Sequence, residues 1–274
     1  MRKKIKYFIS FYIAVFIISS CQKVITIDLN STNIKLAIEG NVSDQAGTYS
    51  VQLSQTVNYD QYNVFPAVTG ATVNISDNVG NSETLIETTP GMYVTSSLVG
   101  TVGRTYNVSV TSGGKNYITS SLMANPVAID TIIVDSTGVF GTGGQQSTTN
   151  KKVRTVRVKF KDPAGINNYY RLIETVNGKA KTNIYITSDN LRDGIQISTT
   201  LSRDTTVHKG DSVGVMLLCI DKYVYTYFRT LNQISGGGTG LQTSTPDNPT
   251  TNFSNSPLGY FSANAIKSKK VKVL

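Results

Sequence analysis

The residues that could perform acid–base or metal chemistry in this chain are few. The sequence has one histidine, His208, within the segment Thr206–Asp211, which predicts a turn before a strand. A zinc site needs three or four nitrogen or sulfur ligands, and a serine hydrolase needs a base beside its nucleophile. The sequence also lacks a Gly-x-Ser-x-Gly segment. We therefore interpret His208 as a surface residue and predict no catalytic residues.

Carboxylates are the remaining groups that could bind a cation. The segment Asp189–Gly194 is similar to a calcium loop, but it lacks the acid at the third position and the closing glutamate that an EF-hand requires. Two alternatives stay open for Asp189 and Asp193. In the first, the two residues bind calcium along with backbone carbonyls. In the second, they belong to a hairpin turn. The turn is the simpler alternative, so we predict no metal and no cofactor.

Glycoside hydrolysis would need two carboxylates and no histidine. The chain has 17 acidic residues, and Asp162, Asp211 and Asp221 are candidates for such a pair. Sequence spacing does not show whether they converge. The dipeptide Asp162-Pro163 is typical of a turn that follows a strand.

The start of the chain has the pattern of a lipoprotein signal peptide. Met1–Lys6 carries four positive charges, and the uncharged apolar run Tyr7–Ser20 follows it. The run is too short to span a bilayer, which takes about 20 residues, but it suits a signal peptide. It ends in Ile18-Ser19-Ser20-Cys21, which resembles the lipobox of bacterial lipoproteins. We predict a signal peptide over residues 1–20 and acylation of Cys21.

Acylation of Cys21 would leave one thiol and a membrane-bound body. Two buried acyl chains anchor a protein stably, so we expect residues 21–33 to form a lipidated tether. Cys219 is the second cysteine of the chain, which excludes an intrachain disulfide once Cys21 is acylated. The apolar segment Val213–Ile220 predicts a buried strand, and Cys219 within it predicts a structural thiol.

Charge argues against nucleic acid as a partner. Without residues 1–20 the chain has 22 basic and 17 acidic residues, a net charge of about +5, and the basic residues are spread along predicted strands. The closing stretch Lys267–Lys272 contains four lysines. It predicts a solvated last strand, and the alternative is a surface for anionic lipid or glycan.

Apolar residues in the first part of the body alternate with polar ones, as in half-buried antiparallel strands. The alternating sets are Leu36 and Ile38; Tyr49, Val51 and Leu53; Val73 and Ile75; and Tyr106, Val108 and Val110. Turn signals separate them at Asp77–Asn81, Thr89–Gly91 and Ser112–Lys115. We predict an immunoglobulin-like β-sandwich of about seven strands over residues 34–124.

Residues 125–274 predict a second β-rich domain with one helix. Strands are predicted at Ile129–Val134, Val156–Lys161, Tyr169–Thr175, Asn183–Thr187 and Val213–Ile220. Asp221 is a good N-cap, and apolar residues at helical spacing follow it up to the glycines at 236–238. The helix is therefore predicted near residues 221–235. The predicted fold class is mainly β.

Several segments together resemble one protein family. They are Cys21–Asp28, Leu36–Val42, Val68–Val73, Val102–Tyr106, Asp162–Arg171, Gly210-Asp211, the tyrosine-rich helix, Asn252 and Leu258–Ala263. In this order they resemble a family of Bacteroidota lipoproteins known as domain of unknown function 4249. The resemblance implies an outer-membrane lipoprotein, often encoded beside a TonB-dependent receptor, whose N-terminal sandwich is similar to carboxypeptidase regulatory domains. It supplies no catalytic residues.

Three classes of function are compatible with these observations. The first is a non-enzymatic accessory or ligand-binding partner of a TonB-dependent transporter. The alternatives are a structural or adhesive surface lipoprotein and a glycoside hydrolase. Fifteen tyrosines favour recognition, with Tyr59–Asn63 and Asn167–Tyr170 as candidate contact loops. The sequence names neither a small-molecule or glycan ligand nor the face of the outer membrane that the body occupies.

Overall fold

The computed structural model of the chain describes residues 34–58, 64–138, 152–235 and 248–274. Within them the predicted mainly β fold class, with a β-sandwich and one helix, is confirmed. Cys21 and the segments 1–20 and 21–33 lie outside the described residues. None of the described helices has the length and apolar character needed to cross a membrane.

The strands and the helix follow one another along the chain. The first eight strands are β1 (Leu36–Ser43), β2 (Ser50–Gln55), β3 (Thr72–Asp77), β4 (Ser82–Thr84), β5 (Ile86–Thr89), β6 (Met92–Val94), β7 (Thr105–Ser112) and β8 (Lys115–Leu122). The later elements are β9 (Ile129–Gly138), β10 (Lys152–Lys161), β11 (Tyr169–Val176), β12 (Lys179–Ala180), β13 (Tyr185–Ser188), β14 (Gln196–Asp204), β15 (Ser212–Ile220), α1 (Lys222–Ile234) and β16 (Leu258–Lys272).

One long sheet runs through the body, and two smaller sheets pack against it. The long sheet has the strand order β12-β11-β15-β16-β1-β2-β6-β5, and β13 also pairs with β11. The smaller sheets have the orders β4-β3-β7-β8 and β14-β10-β9. Among the described strand pairs only β1 and β16 run parallel; the others are antiparallel.

The first core lies between the β1–β2 part of the long sheet and the four-stranded sheet. Its buried side chains come from alternate positions of each strand, because successive side chains of a strand point to opposite faces. They include Ile38, Val51, Leu53, Val73, Ile75, Tyr106, Val108, Val110, Phe261 and Ala263. The alternation predicted for this part of the chain is therefore confirmed.

The second core lies between the β11–β15 part of the long sheet and the three-stranded sheet. It contains Val156, Val158 and Phe160 from β10 and alternate residues of β15, among them Leu217 and Cys219. Cys219 is buried, as predicted. Both faces of β15 are covered, because Leu218 and Ile220 on its other face pack against α1.

The helix begins where the sequence predicts. The Asp221 side chain accepts hydrogen bonds from the backbone of Tyr223 and Val224, which satisfies two donors of the first turn. The helix ends at Ile234 with Ser235 as its C-cap. Tyr227 and Phe228 face the sheet, where Phe228 lies edge-on to Tyr260, and Arg171 lies 3.9 Å above the Phe228 ring.

Strand β16 belongs to both cores. Its first half pairs with β1 from Leu258 to Asn264, and its second half pairs with β15 from Ala265 to Lys272. The predicted boundary near residue 124 thus separates two runs of strands along the chain, while the long sheet continues through β16. We call the end where β1 begins the tether end, and the opposite end of β1 the Ser43 end.

Candidate functional site

Three carboxylates meet at one corner of the second core. Asp162 follows β10, Asp189 follows β13, and Asp193 lies in the turn before β14. Their ligand oxygens lie within 4.8 Å of one another. Asp162 and Asp189 are buried, whereas Asp193 is exposed. We call these three residues the carboxylate cluster.

Asp162 is fixed by two hydrogen bonds. The Tyr170 hydroxyl donates to its Oδ1, and the Gly194 backbone N–H donates to its Oδ2 at 3.0 Å. Burial, followed by the hydrogen bond to the Asp162 carboxylate, raises the pKa of the Tyr170 hydroxyl well above its usual value. Tyr170 therefore remains a neutral donor, and Asp162 is held in one orientation.

The other two members accept bonds from the loop that follows β10. The Asn168 backbone N–H donates to Asp189 Oδ2 at 2.8 Å, and the Gly165 backbone N–H donates to Asp193 Oδ1 at 2.8 Å. The nearby Arg192 donates to Thr187 Oγ1 and to the Ser188 carbonyl. None of the ion pairs of the described residues involves the three acids.

The carboxylate cluster has the donor atoms that calcium prefers, since calcium takes carboxylate and carbonyl oxygens. The arrangement also has a purely structural use, because its hydrogen bonds tie the β10–β11 loop to the turn before β14. Sequence reasoning named Asp189 and Asp193 for a calcium site and missed Asp162 there. The missing signal was β14: once Lys161 pairs with Gln196, Asp162 must lie beside this turn.

A second group of charges lies inside the same half of the molecule. Lys181 Nζ lies 3.3 Å from Glu174 Oε1 and 2.5 Å from Asp204 Oδ2, and Glu174 is fully buried. Hydrogen bonds from Lys181 and Thr206 lower the pKa of the Asp204 carboxyl to about 2. Burial and the charges of Glu174 and Asp204 raise the pKa of Tyr185 to about 12. These mutual contacts give the group a structural role.

A polar cleft of about 330 Å³ opens at the Ser43 end of the first core. Arg104 Nη1 lies 2.7 Å from Asp77 Oδ2 in its wall. Burial raises the pKa of Asp77, but hydrogen bonds from Asn81, Arg104 and Val79 outweigh it and lower the pKa to about 2. Glu83 also lines this cleft, and both its oxygens accept bonds from residues 96–98. The carboxylates of Asp77 and Glu83 are thus already hydrogen-bonded to the surrounding loops.

The structure does not bring the three predicted glycosidase candidates into one hydrogen-bonded group. Asp162 belongs to the carboxylate cluster. Asp211 accepts from Asn177 Nδ2 and from the His208 backbone N–H. Asp221 caps α1 and accepts a bond from the Ser121 hydroxyl.

The remaining predicted residues have structural surroundings or lie outside the described ranges. His208 is exposed, as predicted. Burial raises the pKa of the Cys219 thiol to about 12, so this thiol stays protonated at neutral pH. Of the two tyrosine-rich segments, Asn167–Tyr170 lies beside the carboxylate cluster, where Asn168 and Tyr170 are buried. The segment Tyr59–Asn63 lies outside the described residues.

Comparison with known proteins gives a family match over most of the chain. The model of a family described as "Domain of unknown function (DUF4249)" matches residues 22–270. No curated protein matches the sequence. Among solved structures, the chain is similar to the Yersinia pseudotuberculosis adhesin InvE, with 15% identity and a TM-score of 0.22. The match covers 67% of this chain and 55% of the adhesin, so the chain spans about half of the adhesin's length.

Proposed function

The chain belongs to the DUF4249 family, and from this premise we propose that it is an outer-membrane lipoprotein that acts as a non-enzymatic accessory or ligand-binding partner of a TonB-dependent transporter. The observation that carries the proposal is the segment Ile18–Cys21 after a basic and then apolar start. The family match begins at Gln22, immediately after the predicted acylation site. That position supports a mature chain that begins at Cys21.

The distance from lipid to body suits a partner in the same membrane. Fifteen residue steps separate Cys21 from Leu36, where β1 begins. A fully extended chain of that length spans at most about 50 Å. The start of β1 would therefore lie within about 50 Å of the bilayer, close enough for the body to contact a protein of the same membrane.

The bonding of the acids argues against hydrolysis. A glycosidase presents two carboxylates to the sugar, one of which must donate or accept a proton. In the carboxylate cluster only Asp193 is exposed, and Asp162 and Asp189 are buried and hydrogen-bonded. The acids of the polar cleft are committed to Arg104 and to backbone donors. These groups are built to hold loops in place.

The anchor is tested by removing the acylated thiol. We expect a Cys21→Ala variant to leave the membrane fraction for the aqueous fraction, because two acyl chains supply the anchoring free energy. The matched control is Cys219→Ala, which removes the buried thiol and should stay with the membrane. Retention of Cys21→Ala in the membrane would contradict the lipid anchor.

The partner is tested by purification of the tagged full-length protein from outer membranes in mild detergent, followed by mass spectrometry. Recovery of a stoichiometric TonB-dependent receptor is the expected result. Recovery of the lipoprotein alone, in detergent that preserves other receptor complexes, would contradict the accessory role. A deletion strain that loses attachment but keeps nutrient uptake would then point to adhesion.

A further inference from the structure

Three large apolar side chains are exposed at the tether end. Ile34 is 61% exposed, Val64 74% and Phe65 61%. Isolated apolar residues are common on protein surfaces, but a group of them at one end marks a contact surface. The three lie on two segments that flank the start of β1 and the end of β2.

Backbone hydrogen bonds bring these segments side by side. The Thr56 N–H donates to the Lys35 carbonyl at 2.9 Å, which places Ile34 beside the end of β2. The Gln55 N–H donates to the Pro66 carbonyl at 2.8 Å, which places Phe65 on the other side of β2. Neighbouring strands lie about 4.8 Å apart, so the two apolar segments are about 10 Å apart. Ile34, Val64 and Phe65 thus lie exposed at one end of the body, and we call these three residues the apolar end.

The chain that leads to the predicted lipid leaves the body at this surface. Residues 21–33 connect Cys21 to Ile34, so the acyl chains and the apolar end are joined by the tether itself. Lys35 and Lys115 are exposed at the same end of the body. The nearby Glu87 carboxylate accepts hydrogen bonds from the Gly70 and Gly91 backbone N–H groups. These bonds lower its pKa, so Glu87 is an ionised acid near these lysines. Aromatic and apolar side chains with flanking lysines are the residues that proteins place at a lipid headgroup surface.

We propose that the apolar end rests on the lipid surface, with Ile34, Val64 and Phe65 among the headgroups. This proposal rests on the lipid anchor of the proposed function. It fixes an orientation: β1 rises from the membrane, and the Ser43 end with its polar cleft faces away. The opposite end of the four-stranded sheet lies roughly 20 Å further out, since β3 spans Thr72–Asp77 between the two ends.

A tryptophan scan tests this orientation without background, because the chain contains no tryptophan. The reporter is Phe65→Trp. The control is Val79→Trp, at a side chain that is 60% exposed in the β3–β4 turn at the Ser43 end. Both substitutions replace an exposed side chain, so folding should be unaffected. The full mature lipidated protein is reconstituted into phosphatidylcholine–phosphatidylglycerol vesicles with and without brominated phospholipid.

We expect brominated lipid to quench the Phe65→Trp emission about twofold or more and to leave the Val79→Trp emission within about a tenth of its value. Equal quenching of the two reporters, or none, would overturn the orientation. Quenching of Phe65→Trp emission that is lost when the purified receptor is added would assign the apolar end to a protein partner instead, and would also overturn the proposal.

The same preparation separates this proposal from the proposed function. Flotation of the vesicles reports the anchor, and tryptophan quenching reports the orientation. If wild-type protein fails to float with the vesicles, the lipid anchor is wrong. If it floats and the Phe65→Trp reporter is not quenched, the anchor holds and only the proposed contact of the apolar end is wrong.

Discussion

Asp193 is the exposed member of the carboxylate cluster, and its charge is the easiest of the three to remove. In the absence of divalent cations we expect Asp193→Asn to raise the free energy of unfolding by about 1 kcal/mol, because like charges this close repel each other near a protein surface. The asparagine oxygen can still accept the bond from the Gly165 N–H that Asp193 accepts now. Urea unfolding in EDTA measures the change.

The control for this substitution is Asp193→Ala, which removes both the charge and the acceptor and should gain less. Added calcium then distinguishes the two alternatives for the carboxylate cluster. Wild-type stability that is unchanged in millimolar calcium supports a structural turn. A calcium-dependent gain that Asp193→Asn abolishes would assign the cluster to an ion. A loss of stability for Asp193→Asn in EDTA would contradict the repulsion argument.

Because of Asp77, the free energy of unfolding should depend on pH in the acid range. Its pKa in the folded protein is about 2, below the usual value of an aspartate, so the folded state favours the ionised form. Its contribution is therefore fully present above about pH 4 and is lost as the pH falls toward 2. We expect Asp77→Asn to be less stable than wild type at neutral pH, with a difference that shrinks over this range. Urea titrations at several pH values measure it, and a constant difference would contradict the prediction.

The residue-level comparison shows where sequence reasoning succeeds. The N-cap Asp221, the buried thiol of Cys219 and the exposed His208 could be predicted, because each depends on its immediate neighbours in the chain. The third member of the carboxylate cluster could not. Asp162 joins Asp189 only through the pairing of β10 with β14, which connects distant parts of the chain.

At the scale of elements, the parallel pair β1–β16 depends on one glycine. Gly259 has φ +89°, and a Cβ built on it would lie 2.1 Å from the Ile38 carbonyl oxygen. Gly259→Ala should therefore cost about 3 kcal/mol or more of unfolding free energy, since it adds a clash with backbone to an unfavourable φ. Chemical denaturation measures the loss.

Gly103 provides the matched control. It has φ +83°, and a Cβ built on it would meet no heavy atom within 4 Å. Gly103→Ala should cost only the conformational strain, about 1–2 kcal/mol. Equal losses for the two variants would show that the close approach of β16 to β1 does not matter for stability.

We expect the exposed lysines of β16 to protect an unpaired strand edge. Beyond Asn264, β16 pairs with β15 on one side, and no other described strand pairs with its opposite edge. An exposed strand edge can pair with a strand of another molecule, and lysines on the edge strand are a common means of preventing such pairing. We expect Lys267→Thr combined with Lys272→Thr to cause concentration-dependent self-association, which light scattering detects.

The control for the edge variant is Lys159→Thr combined with Lys161→Thr. These lysines lie in β10, whose two edges are occupied by β9 and β14. The control removes the same charge from a central strand, so it should stay monomeric. Association of both variants to the same extent would attribute the effect to net charge and not to the edge.

The elements differ in how well their patterns could be recognised. Strands that are polar on one face, such as β7 and β8, were predictable from alternation. The strand β14 was not predicted, because only Ile197 and Leu201 are apolar in Gln196–Asp204. The lysine-rich stretch was predicted as a last strand and lies in β16, where the lysines are exposed. The parallel pairing of that strand with β1 has no local signal in the sequence.

At the scale of the whole molecule, the charge is divided between the two halves. Residues 21–124 contain 4 basic and 7 acidic residues, whereas residues 125–274 contain 18 basic and 10 acidic ones. The half that follows the predicted tether is thus slightly acidic, and the other half is basic. In the proposed orientation β16 runs away from the anchor, so the basic half lies farther from the membrane. An acidic surface of a partner would be attracted to that half.

The two cores should unfold together because the strand β16 belongs to both of them. Val108 in the first core and Val158 in the second are fully buried. We expect Val108→Ala and Val158→Ala each to lower the free energy of unfolding by about 2 kcal/mol while one transition remains. Circular dichroism and tyrosine fluorescence during urea unfolding test this, and two separate transitions in either variant would contradict it.

The pairing of Ala37 with Leu258 also affects the order in which the strands can pair during synthesis. β16 is synthesised long after β1, so this edge of β1 stays without its partner strand until β16 has been made. Phe261 and Ala263 of β16 therefore complete the first core late. If the chain is exported as the proposed lipoprotein, this late pairing favours completion of the fold after translocation.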